Sequence, residues 1–155
     1  MKPNGVIVCT PNNLHCPVTL AALKRGIHVI CEKPVSLNAN EAASMVKAAT
    51  EKSLICMVNF PYRSNPCVIK FRELIAQRWL GLPLHISGQY HGGFGLYRKP
   101  GWRGSTTQSG AGILGDLGSH LIDLARYISG DEFKAVTAHM MTTIWQKPDD
   151  PDFVL

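Results

Sequence analysis

No apolar run in the 155-residue sequence approaches the ~18 to 20 residues that a membrane-spanning helix needs. The opening Met1-Lys2-Pro3-Asn4-Gly5 also lacks the apolar stretch of a secretory signal. No membrane partner is expected, and the cytoplasm is the expected compartment. Cysteine is scarce: Cys9, Cys16, Cys31, Cys56 and Cys67 are odd in number and never spaced Cys-x-x-Cys, so neither a disulfide framework nor a cysteine-rich zinc site is supported. Most sit in apolar runs such as Val6–Cys9 and His28–Cys31, where the thiol serves as a small hydrophobe. Charge is also sparse, at 17% of residues, and the 16 Lys and Arg form neither a basic run nor an aromatic-interleaved basic stripe. A phosphate backbone would find nothing to track along, and nucleic acid is not an expected partner despite the net charge of +5. Internal repeats and low-complexity segments are absent. What is present is 45% hydrophobic material with 14 Gly and 10 Pro, enough for one globular core.

Short β-rich runs alternate with helical patterns through the first third, which is the mark of parallel strands joined by crossover helices. Strands are expected over Gly5–Thr10, Ile27–Cys31 and Leu54–Phe60. Asn12 or Asn13 is expected to cap the first helix, with Pro17 tolerated in its first turn and Gly26 ending it. A second helix from about Ala39 to Glu51 would present Ala42, Met45, Val46 and Ala49 on one face, opened by Asn38 and Glu41 as a capping box. The texture changes at Tyr62-Arg63-Ser64-Asn65-Pro66, where Asn65 and Pro66 read as cap and first residue of another helix that stops near Gly81. A strand over Leu84–Tyr90, a Gly-rich loop over Gly92–Gln108, a helix over Ile113–Ser129 and a strand over Lys134–Trp145 complete the reading. Residues 1–63 form one expected domain of α/β type, and residues 64–155 a second of α+β type.

The helix from Ile113 carries two stripes. Leu117, Leu121, Leu124 and Ile128 define an apolar face, and Asp116, His120, Asp123 and Tyr127 a polar one that can line a cleft. Gly112, Gly115 and Gly118 thin its first turns, and each Gly in a helix costs about 1 kcal/mol against Ala, which points to a ligand or backbone that must come close. An imidazole with a carboxylate one turn away can exchange a proton with a hydroxyl near neutral pH. The competing reading is a satisfied buried histidine and an acidic residue placed near a helix N-terminus. Gly110-Ala111-Gly112-Ile113-Leu114-Gly115 matches the dinucleotide pattern G-x-G-x-x-G, but loop-like residues rather than a buried strand precede it, so the match is coincidental.

Val8-Cys9-Thr10-Pro11-Asn12 with His15, then Gly26-Ile27-His28-Val29-Ile30-Cys31-Glu32-Lys33-Pro34, resembles the second half of the nucleotide domain in the glucose-fructose oxidoreductase and inositol dehydrogenase (Gfo/Idh/MocA) family. Tyr62-Arg63 with Pro66, Trp102-Arg103, and Gly112 through Ala125 continue the likeness in the family's order. The resemblance implies the C-terminal half of a Rossmann-type parallel sheet followed by the start of an α+β substrate domain. It implies an NAD(P)-dependent oxidoreductase, with NAD or NADP as cofactor and a sugar, polyol or related hydroxyl or carbonyl compound as substrate. Lys33, Asp116 and His120 are then the catalytic residues, with Lys33 holding the substrate oxygen, His120 taking the proton and Asp116 orienting the ring. Thr10, Pro11, Asn12, His15 and Glu32 would lie along the cofactor, with Arg63, Trp102 and Arg103 approaching it from the domain boundary. No metal is implied, and the full-length form is expected to be a homo-oligomer.

Family members open with a βαβ unit bearing a Gly-rich phosphate loop, which this sequence does not contain, so the chain is expected to be an internal piece of a longer enzyme. By itself it is expected to bind NAD(H) or NADP(H) weakly or not at all. Two other functions remain open at this level. One is a non-catalytic remnant acting as a binding or dimerisation module. The other is a metal-dependent hydrolase using Asp116, His120 and Asp123, disfavoured because no further ligands cluster elsewhere in the sequence.

Overall fold

The structure, a computed structural model, describes residues 3–92 and 101–141. Strands β1 (Gly5–Val8), β2 (His28–Glu32) and β3 (Cys56–Asn59) form a parallel sheet in the order β1-β2-β3. Pairing runs from Gly5↔His28 to Val8↔Cys31 and from Val29↔Cys56 to Glu32↔Asn59. The crossovers are helices α1 (His15–Lys24) and α2 (Ala39–Glu51), as alternating β-rich and helical runs require. Val8, Val29 and Cys31 meet Cys16, Ala22 and Leu23 of α1 and Met45 and Ala49 of α2 in the core. Each buried side chain of Leu23 or Met45 size is worth about 1.5–3 kcal/mol. On the sheet's other face, Ile7 and Met57 stand 67% and 48% exposed.

Local chemistry explains the element ends. Gly26, at φ 73°, closes α1 as a Schellman motif, its N–H donating to Leu23 O and the Ile27 N–H to Ala22 O. Asn38 caps α2 by accepting from the Glu41 N–H at 3.0 Å, and the Glu41 carboxylate answers by accepting from the Leu37 N–H at 3.0 Å and from Asn38 Nδ2 at 3.2 Å. Asn65 caps α3 (Pro66–Ala76) by accepting from the Cys67 N–H. The apolar face expected on α2 is narrower than its sequence spacing: Met45 and Ala49 are buried, whereas Val46 faces solvent.

After α3 the chain continues through a 3₁₀ turn at Gly101–Gly104, the short α4 (Thr106–Ser109), a π-helical turn at Leu114–Gly118 and α5 (Ser119–Ser129), which Gly130 ends at φ 74°. A helical turn and a 3₁₀ turn, not a strand, lead into the Gly110–Gly115 glycine pattern. The expected strand over Leu84–Tyr90 makes no ladder among the described residues, and neither do 134–141 of the expected strand over Lys134–Trp145. Residues 142–145 lie outside the described part. A β-rich run becomes a strand only where a neighbour supplies backbone partners. The apolar stripe of α5 likewise lies half-covered, with Leu121, Leu124 and Ile128 lining an open groove against Leu84 and Ile86.

Candidate active site

Lys33 is the first residue past β2, at the carboxyl edge of the sheet, where open α/β folds bind ligands. Its ammonium donates to Asp116 Oδ1 at 2.5 Å and to the Asp116 backbone oxygen at 2.6 Å, across 83 residues of sequence. Asp116 reaches Lys33 from the π-helical turn, whose wider hydrogen-bond spacing is characteristic of functional positions. Gly115, beside it, lies against the Lys33 segment: a Cβ there would stand 3.8 Å from Pro34 Cγ. Arg103 Nε stands 3.7 Å from Asp116 Oδ2, and its guanidinium lies 4.5 Å from the Trp102 ring centroid. One carboxylate therefore serves two cations. Asn12, Trp102, Arg103, Ser109 and Asp116 line a narrow cleft here.

His120, one helical turn beyond Asp116, is 7% exposed. Its ring sits among Phe60, Tyr62 and Tyr90 at centroid distances of 6.1, 4.9 and 6.1 Å, and the Tyr62 and Tyr90 hydroxyls hydrogen-bond each other at 2.7 Å. Burial, reinforced by the Lys33 charge, holds the imidazole pKa below its ordinary value against the opposing carboxylates of Asp116 and Asp123. The ring is thus neutral at pH 7. Among the described residues Nδ1 has no hydrogen-bond partner. Asp116 was expected to orient this ring; its carboxylate instead meets Lys33 and Arg103, and aromatic edges hold the imidazole.

The turn after β1 departs from the capping expectation. Neither Asn12 nor Asn13 caps α1; a 3₁₀ turn over Asn12–Leu14 leads into it, and the buried Asn12 donates from Nδ2 to Ser109 O at 2.8 Å. Pro11 sets the start of that turn. Thr10 Oγ1 and Asn13 Oδ1 are buried without a partner among the described residues. His15 lies beneath the turn with Nδ1 2.8 Å from Pro34 O and Nε2 2.8 Å from Thr10 O. Glu32 accepts from Asn59 Nδ2 at 2.5 Å, which joins the ends of β2 and β3.

Arg63 stands apart from this cluster. It forks onto Asp123 through Nε (2.9 and 3.1 Å) and Nη2 (2.6 Å), with its guanidinium 5.1 Å from the Tyr127 ring, and so ties the turn after β3 to α5. Sequence reading assigned no role to Asn59, Tyr62, Tyr90 or Ser109. Asn59 had a usable signal, since it ends a parallel strand as Glu32 does; Ser109 had none, because its part is played by a backbone carbonyl. No group of three His, Cys, Asp or Glu side chains is placed to hold a metal ion among the described residues.

The family model described as "Oxidoreductase family, NAD-binding Rossmann fold" matches residues 1–60, and that of the GFO/IDH/MocA C-terminal domain matches residues 68–155. Levoglucosan dehydrogenase of Pseudarthrobacter phenanthrenivorans is 37% identical over 145 residues, covering 92% of this chain and 37% of the relative. Glucose-6-phosphate 3-dehydrogenase of Bacillus subtilis is 36% identical over 149 residues, covering 94% and 43%. This chain thus spans about two fifths of the length of these relatives. Among solved structures, a levoglucosan dehydrogenase in complex with NADH and levoglucosan superposes with a TM-score of 0.71 at 32% identity, over 83% of this chain and 35% of that one. A putative NADPH-dependent oxidoreductase from Desulfitobacterium hafniense reaches a TM-score of 0.75 at 26% identity, over 82% and 37%. With the three-stranded parallel sheet matched by one model and the helix bearing Asp116 and His120 by the other, the chain belongs to the GFO/IDH/MocA family of oxidoreductases.

Proposed function

We propose that this chain supplies the catalytic groups of an NAD(P)-dependent oxidoreductase that passes hydride between a nicotinamide cofactor and a sugar, polyol or related hydroxyl or carbonyl compound. The observation that carries the reading is the Lys33–Asp116 contact at the carboxyl edge of the sheet, with the neutral His120 one helical turn away. An ammonium has three N–H donors, and Asp116 takes two of those of Lys33. The third is left for a substrate oxygen, where it stabilises the negative charge that grows as the hydroxyl proton is withdrawn and that drives hydride from the adjoining carbon. His120 accepts the hydroxyl proton, and Asp116 fixes Lys33 while balancing its charge.

Bound at this edge, a nicotinamide supplies the hydride acceptor. The residues present fit such a group: Thr10 Oγ1 and Asn13 Oδ1, without a partner among the described residues, lie at the turn after β1, next to the cleft lined by Asn12, Trp102 and Arg103. The names of relatives support a carbohydrate or cyclic polyol, since they include dehydrogenases of levoglucosan, glucose 6-phosphate and scyllo-inositol. Among the described residues no helix is long and apolar enough to cross a membrane. The reading places the enzyme in the cytoplasm, as a homo-oligomer in its full-length form.

The test is reduction of NAD⁺ and NADP⁺ by the full-length enzyme that carries this chain, over a panel of hexoses, anhydrosugars and inositols. Turnover is expected with at least one, and Lys33→Met should lower it by about 10²-fold or more with cofactor affinity little changed. A protein inert across the panel, or a Lys33→Met variant that keeps its rate, overturns the reading.

A further inference from the structure

His15 is 1% exposed and has both ring nitrogens engaged, so it offers no polar atom to a ligand. What it joins is more informative. The ladder between β1 and β2 ends at Val8↔Cys31. Thr10 lies two residues past the end of that ladder and Pro34 three, and the His15 ring carries the cross-link on beyond the last paired residues, at 2.8 Å to each carbonyl. Pro34 directly follows Lys33 and, as proline, has no N–H, so its carbonyl is the one backbone polar group at that position by which the segment can be pinned.

We propose that His15 is the positioning residue for Lys33: its ring holds Pro34 against the turn after β1 and so sets where the Lys33 ammonium stands relative to Asp116. The two bonds are chemically unequal for this purpose. Both acceptors are carbonyls, so each contact is a hydrogen bond only with a hydrogen on the ring nitrogen that faces it, and the contact with Pro34 needs the one on Nδ1. The Pro34 bond acts on the residue next to Lys33, whereas the Thr10 bond anchors the ring to β1. Its effect on catalysis rests on the function proposed above; its effect on the Lys33 ammonium does not.

Two substitutions separate the bonds, because the Asn amide nitrogen falls near the position of ring Nδ1 and the Gln amide nitrogen near ring Nε2. His15→Asn keeps the donor to Pro34, and His15→Gln keeps the donor to Thr10. In the full chain the ¹⁵N signal of the Lys33 ammonium, assigned by its loss in Lys33→Met, reports how firmly Asp116 holds it. The signal is expected to be protected from exchange in wild type and His15→Asn and lost in His15→Gln. In the same proteins kcat should fall about tenfold or more in the Gln variant and less than about threefold in the Asn variant, with KM for the cofactor unchanged. Equal ammonium signals in the two variants, an unprotected Lys33 in wild type, or variants that both fail to fold would overturn the proposal, the last by making the ring a folding element. If wild type turns over no substrate, the functional reading fails and the ammonium signals still decide this one.

Discussion

Neutral His120 among three aromatic rings faces an electrostatic conflict on acidification. Its folded pKa lies below the ordinary 6.5 because burial and Lys33 disfavour the charged ring. The unfolded chain therefore takes up the proton first, so the stability from keeping this ring neutral is full above about pH 6.5 and is lost as pH falls toward the folded value. Melting temperatures measured from pH 8 to pH 5 should drop more steeply in wild type than in His120→Gln; parallel curves would show that the ring is not what titrates. Burial acts on the thiols in the same sense. Cys31 is buried in the sheet and its pKa is pushed up to about 11, whereas Cys9 and Cys67 are exposed. At pH 8 iodoacetamide should label Cys9 and Cys67 in the folded chain and spare Cys31, as mapped by mass spectrometry. Cys9 is the exception among cysteines read as core material, since it follows β1 at the open edge of the site.

The link between the turn after β3 and α5 rests on the Arg63–Asp123 fork. The Asp123 side chain is 5% exposed, so removing its partner leaves a carboxylate in a poor solvent. Arg63→Ala should cost about 2 kcal/mol, reduced from the fully buried case because Arg63 itself is half in water. Denaturant unfolding should show a much smaller loss for the same substitution in an Asp123→Leu background, and equal losses in both would exclude the pair as the source. In the core under the sheet, Leu23 of α1 is fully buried among β2 and α2 residues, and Leu23→Ala should cost about 2–5 kcal/mol. These elements were largely legible. The Asn38–Glu41 box, the Asn65–Pro66 start and the Gly26 end depend on residues within a few positions of each other, so spacing alone reveals them. The Asn12 cap failed for the complementary reason: an Asn before a helix suits a cap through its side-chain oxygen, but here the side chain is oriented by donating from Nδ2 to Ser109 O, 97 residues away.

Over the whole molecule the sheet is covered on one face. Ile7 and Met57 stand exposed on the other, and β1 carries an unpaired edge among the described residues. An apolar sheet face beside a free strand edge is a template for association. Sedimentation velocity on the isolated 155-residue chain should show concentration-dependent self-association, and a single monomeric species across the accessible range would contradict it. Local pattern by itself determined the β-α-β-α-β order, the helix ends and the two stripes of the helix after Gly112, because hydrophobic period, caps and glycines act over one or two turns. Tertiary structure alone decided that Asp116 belongs to Lys33 rather than to His120, that Arg63 belongs to Asp123, and that His15 spans Thr10 and Pro34. It also decided that Leu84–Tyr90 lacks a ladder among the described residues. A charge or a β-rich run shows in sequence what it can bond to, but which partner it takes depends on which segments the fold brings within about 3 Å, and no local pattern encodes that distance.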